Sequence, residues 1–276
     1  MPLKYIKIIM SNLSLNNHKP IIGVFDSGLG GLTILNQLNK DFDNYKFIYF
    51  GDTAHLPYGT KSNQSIIKFC ENIVDFLILK GASIIIVACH SASAVAIEYL
   101  KKKYSIPIID VIGPSIKSSI DITSNKSICV LGTATTIASR TYSKNIDKLS
   151  DGIITYEIAC PLFVPIVEEG LENTPIASLA ANMYLKSLNN LSVDTLILGC
   201  THYPMLINTI KKVLSDHITI VNTGLSISNE LKKIIKSSPY KNSDNEYYVS
   251  DLPYRFNNLA SKFLDQPIKN VEQISL

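Results

Sequence analysis

The 276-residue chain has no tryptophan, only two arginines (Arg140 and Arg255), and five widely spaced cysteines without a C-x-x-C pair among them. Each shortage closes a class of function. The lysines are scattered among acidic residues and the net charge is only +3, so no basic stripe is available to follow a phosphate backbone, and no nucleic-acid partner is predicted. An odd number of cysteines, mostly inside apolar runs, argues against a disulfide framework, and the missing paired spacing argues against a structural zinc site. No apolar run approaches the ~18 to 20 residues of a membrane span. The opening MPLKYIKIIMSNLSLNNHKP lacks a small-residue cleavage site, so a soluble cytoplasmic protein is expected. The missing tryptophan, with heavy use of Lys, Ile, Asn and Ser, reads as compositional bias without functional content.

What is present is a chain that is 46% hydrophobic, enough for a substantial core. From Ile21 onward, short β-branched runs alternate with longer segments of helical period, the pattern of parallel sheet covered by helices. Strands are predicted at Ile21–Phe25, Phe47–Phe50, Ser83–Ala88, Pro107–Val111, Ser127–Leu131, Ile153–Ile158, Thr195–Leu198 and Ile218–Val221, with helices over stretches such as Ser65–Leu79 and Ile176–Leu188. Residues 1–20 read as a poorly ordered N-terminal extension.

An internal echo points to two domains. The succession of apolar strand, small residue, cysteine and helix occurs at Ile84–Ala96 and again at Thr195–Ile207. In open α/β sheets ligands bind beyond the carboxyl ends of strands, where Asp26, Asp52, Cys89, Gly113, Gly132, Cys160 and Cys200 all fall. A thiol at a strand-to-helix junction lies near unpaired helical N–H groups and the positive dipole end, so the sequence predicts a preference for thiolate at Cys89 and Cys200. Cys70 and Cys129 are expected to be inert core thiols.

Other motifs leave alternatives open. VFDSGLGGLTIL has glycines after a strand, but its G-x-G-G spacing is not that of a dinucleotide loop and no phosphate-loop lysine follows. Asp26 is either a helix cap or a group serving the pocket. The Pro57-Tyr58-Gly59 turn could hold a carboxylate with its backbone amides, or simply connect a strand to a helix. Thr133 and Thr136 can cap a helix and bind a ligand with the same geometry. Cys89 with His90, and Cys200 with His202, fall short of a zinc ligand set.

Paired thiols suit one reaction in particular. An amino-acid Cα–H is a very weak acid, and inverting that centre without a carbonyl cofactor needs a base on one face and an acid on the other. Two cysteines supply both roles. A free thiol titrates near ~8.5, so each needs a tuning neighbour, and Asp26 and His202 are the candidates. A Cys–His hydrolase or transferase is the competing enzyme class, although it leaves one cysteine unexplained. A catalytically dead amino-acid-binding protein is the competing non-enzyme.

In order, FDSGLGGLT, GDTAHLPYG, VACHSASA, GTATTIAS, ACPLFVPIVEEG and ILGCTHYP resemble the motifs of the glutamate racemases, within the aspartate/glutamate racemase superfamily, from about Ile21 to the last helices. The resemblance implies an α/β fold of two doubly wound parallel-sheet domains with the active site in the cleft between them. Residues 21–113 plus 224–276 would form the first domain and 114–223 the second. It implies cofactor-independent interconversion of L- and D-glutamate, with no metal, supplying D-glutamate for peptidoglycan; aspartate racemase is the nearest alternative. Position by position, Cys89 resembles the base acting on D-glutamate and Cys200 the base acting on the L-enantiomer. Asp26 resembles the assistant of the first and His202 that of the second, with Glu168 behind His202. Asp26, Ser27, Tyr58, Gly59, His90, Ser91, Thr133, Thr136, Thr201 and His202 match substrate-binding positions, and Cys160 a structural cysteine. His90 departs from the family's usual Asn: as one tautomer it can donate and accept as Asn does, but a cationic His90 would depress the Cys89 pKa, and His90→Asn is expected to retain racemisation with a shifted pH profile. Dimers are common in the family, so a homodimer is the assembly the resemblance implies.

Overall fold

The protein is described from a computed structural model covering residues 20–235, 244–268 and 270–276. Apart from Pro20, the expected extension 1–20 lies outside the described residues. From Ile21 the chain runs through β1 (Ile21–Asp26), α1 (Leu32–Asp41), β2 (Phe47–Gly51), α2 (Asn63–Leu79), β3 (Ala82–Val87), α3 (His90–Lys103), β4 (Ile108–Asp110) and α4 (Ile112–Ile122). There follow β5 (Ser127–Gly132), α5 (Ala134–Ser139), α6 (Thr141–Leu149), β6 (Ile154–Ala159), α7 (Phe163–Glu168), α8 (Pro175–Leu185), β7 (Thr195–Gly199), α9 (Ile207–Val213) and β8 (Thr219–Val221). Then come α10 (Thr223–Lys232), β9 (Glu246–Val249), α11 (Pro253–Leu264) and β10 (Val271–Gln273).

The strands form two sheets in which every pairing is parallel, ordered β10-β9-β2-β1-β3-β4 and β6-β5-β7-β8. The fold is thus two parallel-sheet α/β domains. Side-chain alternation divides the first sheet between two cores. Ile22, Val24, Ile84 and Ile86 pack with Leu32 and Leu35 of α1 and Ile227 and Leu231 of α10, in a cluster that continues into Ile128, Val130 and Leu196 of the second sheet. Phe25, Ile85 and Val87 face the other way, onto Ile66, Val74 and Leu77 of α2 and Ala92 and Ala96 of α3. Apolar burial on both faces is why the strands read as continuous β-branched runs.

Strand order positions the site. The chain leaves β1 for β2 on one side and returns to β3 on the other, so the first sheet has its switch point between β1 and β3. The second sheet repeats this between β5 and β7. Crevices open at such points because successive crossover helices lie on opposite faces. Asp26 and Cys89 mark the first, Thr133 and Cys200 the second.

All eight predicted strands are present, and β9 and β10 are additional. At four and three residues these two are too short, and too rich in Glu, Gln and Tyr, to stand out by periodicity. The helix predicted to run to Leu188 ends at Leu185 and tightens into a turn over Lys186–Asn190. There Asn189 is committed to the Val213 carbonyl and the Ser215 amide, at 2.9 and 3.0 Å, competing with helix continuation.

Candidate active site

Cys89 caps α3. Its sulfur accepts from the Ala92 amide at 3.5 Å, and its thiol points to Ser27 Oγ at 3.7 Å. Burial pushes this thiol up to about 12, the neighbouring Asp26 carboxylate adds to the rise, and the Ala92 and Ser27 contacts oppose it. The expected preference for thiolate is therefore overturned at Cys89: a single long N–H···S contact does not offset burial beside a carboxylate.

Asp26 is fully buried at the end of β1. Its Oδ2 accepts from the Gly28 amide at 2.9 Å and its Oδ1 from the Thr201 hydroxyl at 3.2 Å. Burial raises its pKa, opposed by the charge of His202 and by these donors. Asp26 does not cap α1, whose cap position is Gly31; it folds the DSG turn back on itself and reaches the opposite domain.

Cys200 stands one residue past β7, and no α-helix opens there. Thr201 and His202 lead into a short helical turn, Tyr203–Leu206, with α9 starting only at Ile207. Pro204 near the start of that turn has no amide to donate. His202 Nδ1 lies 4.0 Å from Cys200 Sγ, and Nε2 lies 3.1 Å from Glu168 Oε1 at the last residue of α7. Burial would lower this imidazole, but the hydrogen bonds and charges of Cys200 and Glu168 outweigh it and hold the pKa raised to about 10. His202 is thus a cation between a sulfur and a carboxylate.

The glycine loop after β1 also acquires a reason. A Cβ on Gly30 would lie 2.2 Å from Thr201 Oγ1 and 2.5 Å from His202 Nδ1. Gly30 is bare because side chains of the other domain lie against it, and Gly28 and Gly31 because Leu56 and Tyr49 of their own domain do, which removes the need for a nucleotide reading.

One cavity of about 30 Å³ is lined by Ser27, Leu56, Pro57, Tyr58, Gly59, Cys89, His90, Ser91, Thr133, Val164, Cys200, Thr201 and His202. Both cysteines meet there, one from each domain. Asp26 and Glu168 stand behind it, bonded to Thr201 and His202. Thr136 is also behind, in a hydroxyl triangle spanning the cleft: Ser91 lies 2.9 Å from Thr133 and 3.4 Å from Thr136, and Thr133 lies 3.1 Å from Thr136. Thr133 caps α5 through the Thr136 amide at 3.2 Å. The Tyr58 hydroxyl is taken by Asp52 at 2.6 Å. A larger hollow of about 820 Å³ beside β9 and β10 carries neither cysteine, so convergent titratable groups, not size, locate the site.

His90 is 2% exposed and neither ring nitrogen has a hydrogen-bond partner among the described residues. Burial lowers its pKa to about 3, against the pull of Asp110, so the ring is neutral. Of the two states open to His90 the structure favours the neutral one, so it exerts no charge on Cys89, and the pH-profile shift expected of His90→Asn is overturned. Pro57 lines the cavity as part of the turn singled out in the sequence; Leu56 and Val164 were missed because apolar wall residues carry no chemical signature, although both lie inside the quoted motifs. Cys70, Cys129 and Cys160 are buried free thiols away from the cavity lining, Cys160 being pushed up to about 12 by burial. No three potential metal-binding side chains converge, and no helix is long and apolar enough to cross a membrane, among the described residues.

Two parallel-sheet domains that bring strand-end thiols, a buried carboxylate and a charged His–Glu pair to one cavity define an α/β enzyme with acid–base groups on both walls of an interdomain site. The sequence model of the Asp/Glu/Hydantoin racemase family matches residues 31–226, and the chain belongs to that family. A glutamate racemase of Geobacter metallireducens is 37% identical over 260 residues, covering 92% of this chain and 96% of that one. The crystal structure of a glutamate racemase isoform from Bacillus anthracis superposes with a TM-score of 0.90 at 32% identity, covering 94% of this chain and 99% of that one. The glutamate racemase of Francisella tularensis in complex with D-glutamate gives 0.85 at 36% identity, covering 93% and 97%.

Proposed function

We propose that this chain interconverts L- and D-glutamate by transferring a proton at Cα between two thiols without a cofactor, in the cytoplasm, supplying D-glutamate for peptidoglycan. The observation that carries the reading is the presence of Cys89 and Cys200 in the lining of one cavity, each contributed by a different domain. The glutamate racemases reported above favour glutamate over aspartate as the substrate.

In the L-to-D direction, the Cys200 thiolate takes the Cα proton and Cys89 delivers its own to the opposite face, leaving Cys200 as thiol and Cys89 as thiolate. The reverse direction exchanges the roles. His202 is the counter-charge available to a Cys200 thiolate, oriented by Glu168. Asp26, with its raised pKa, is the proton acceptor beside Cys89. The hydroxyls of Ser27, Ser91, Thr133, Thr136 and Thr201 donate to the substrate's carboxylates and accept from its amino group. Because Asp52 occupies the Tyr58 hydroxyl, Tyr58 serves, with Gly59, through its backbone amide. His90 meets substrate as a neutral imidazole, able to donate at one nitrogen and accept at the other.

The present cavity is too small for an amino acid, so substrate entry requires the two halves to part. We take residues 21–113 with 224–276 as one moving half and 114–223 as the other, and retain the homodimer, which sedimentation would check. Single Cys89→Ser and Cys200→Ser variants, assayed by chirality, test the mechanism. Each should abolish turnover, and near-full activity in either would overturn it.

A further inference from the structure

The C-terminal segment beyond residue 226 lies outside the family match, yet it is bonded into one wall of the site. Ser250 follows β9. Its hydroxyl donates to Asp52 Oδ1 at 2.7 Å and accepts from the Ala54 amide at 2.8 Å, while its own amide donates to the Gly51 carbonyl at 3.1 Å. Asp52 is 3% exposed and gathers further donors: the Tyr58 hydroxyl at 2.6 Å on Oδ2, and His55 Nδ1 at 2.9 and 3.0 Å from its two oxygens. The Asp52 amide donates to the Asp26 carbonyl at 3.0 Å. Asp52 therefore ties together three parts of the fold: its buried carboxylate joins the loop carrying Leu56 to Gly59 to the end of β9, and its amide joins both to the end of β1.

We propose that Ser250 is a positioning residue for the substrate-binding loop, acting through Asp52 on Tyr58. The inference rests on the function proposed above. Ser250 orients the Asp52 carboxylate, so that Oδ2 is aimed at the Tyr58 hydroxyl, and a fixed Tyr58 ring places the backbone amides of Tyr58 and Gly59 at the cavity. A neighbouring stitch supplies the comparison: the Asp251 amide donates to Thr53 Oγ1 at 2.9 Å, and the Thr53 hydroxyl bonds back to the Asp251 carbonyl, without touching Asp52. If Ser250 only fastened the C-terminal segment, losing Ser250 or Thr53 would have the same effect. If it positions the loop, only Ser250 will alter substrate affinity.

The experiment compares the full-length wild-type chain with Ser250→Ala, Thr53→Ala, Tyr58→Phe and the Ser250→Ala/Tyr58→Phe double variant, measuring kcat and KM for both enantiomers and amide exchange of residues 54–60 without ligand. We expect KM to rise about tenfold in Ser250→Ala with kcat within about twofold, as for losing one hydrogen bond to a charged acceptor. Tyr58→Phe should match it, the double variant should be no worse than either single, and Thr53→Ala should keep the wild-type KM. An unchanged KM in folded Ser250→Ala, or an equal rise in Thr53→Ala, overturns the proposal. If Ser250→Ala does not fold, Tyr58→Phe against Thr53→Ala decides. A wild-type chain inert toward glutamate overturns the proposed function instead, and faster exchange at residues 54–60 in Ser250→Ala than in Thr53→Ala then decides the positioning.

Discussion

Thr201 Oγ1 donates to Asp26 Oδ1 at 3.2 Å, so a hydroxyl one residue from Cys200 is bonded to the carboxylate that neighbours Cys89. The two walls of the site share a hydrogen bond, and Asp26 acts on one thiol while sensing the charge beside the other. Asp26→Asn is expected to lower turnover roughly 10²- to 10⁴-fold, the usual range for a proton-transfer group. Removing its charge should also make Cys89 more acidic, because the carboxylate reinforces the burial that raises that thiol. Alkylation by iodoacetamide at pH 9, in a Cys200→Ser background, reads this: Asp26→Asn should alkylate faster. Slower alkylation in that background, together with retained turnover in Asp26→Asn with Cys200 intact, contradicts the assignment.

His90→Asn should leave the pH dependence of racemisation unchanged between pH 6 and 9, since a ring held near 3 does not titrate there. Stability should behave differently. The unfolded histidine binds a proton below its ordinary value of 6.5, while the folded one does not until about 3, so wild-type stability falls as pH drops through that window. The variant lacks this loss. Its advantage should grow by up to about 1.4 kcal/mol per pH unit, measured by urea unfolding at pH 7, 6 and 5. A constant difference would mean that His90 is charged in the folded state.

His202 shows the opposite sign. Its folded pKa is raised to about 10 from an unfolded 6.5, so its contribution to stability is complete below 6.5 and lost as pH climbs toward 10. The stability gap between wild type and His202→Asn should therefore narrow across pH 7 to 10. Glu168→Gln should complete that narrowing at lower pH, because it removes one of the two groups holding the imidazole up and so lowers the folded pKa while leaving the unfolded one unchanged. A gap that widens with pH would exclude a cationic His202.

Gly30→Ala places a methyl against Thr201 and His202. Overpacking of this kind costs about 1–3 kcal/mol. The expected result is a folded protein with lowered Tm and turnover reduced by more than tenfold, an effect of comparable size to a cleft held ajar. Wild-type turnover would mean that the halves do not approach this closely in solution.

Much of this site was legible before any coordinates. The buried parallel strands announce themselves by β-branched runs, and Cys89 and Cys200 stand at their ends because a parallel sheet exposes its chemistry only there. The glycines of the DSGLGG loop were visible, but not their causes, which are tertiary: Gly30 faces Thr201 and His202 some 170 residues later, Gly28 faces Leu56, and Gly31 faces Asp26, Tyr49 and Ala88. The state of the Cys89 thiol was illegible for the same reason. Burial and the carboxylate of Asp26 overturn the local helix-start effect at Cys89, and both are tertiary. The role of Ser250 was hidden because its strand, Glu246–Val249, is four residues long and its partners, Asp52 and Ala54, are almost 200 positions away.

The most direct test of the two-base account is early-time racemisation of L-glutamate in D₂O, with chelator and no pyridoxal phosphate, recording the Cα deuterium of substrate and product separately. With one base on each face, D-glutamate formed from L-glutamate carries deuterium while the remaining L-glutamate stays protiated, and aspartate is inert. Equal deuterium in recovered L-glutamate and in product would mean a single base serving both faces, and no exchange at all from folded protein would remove the racemase reading itself.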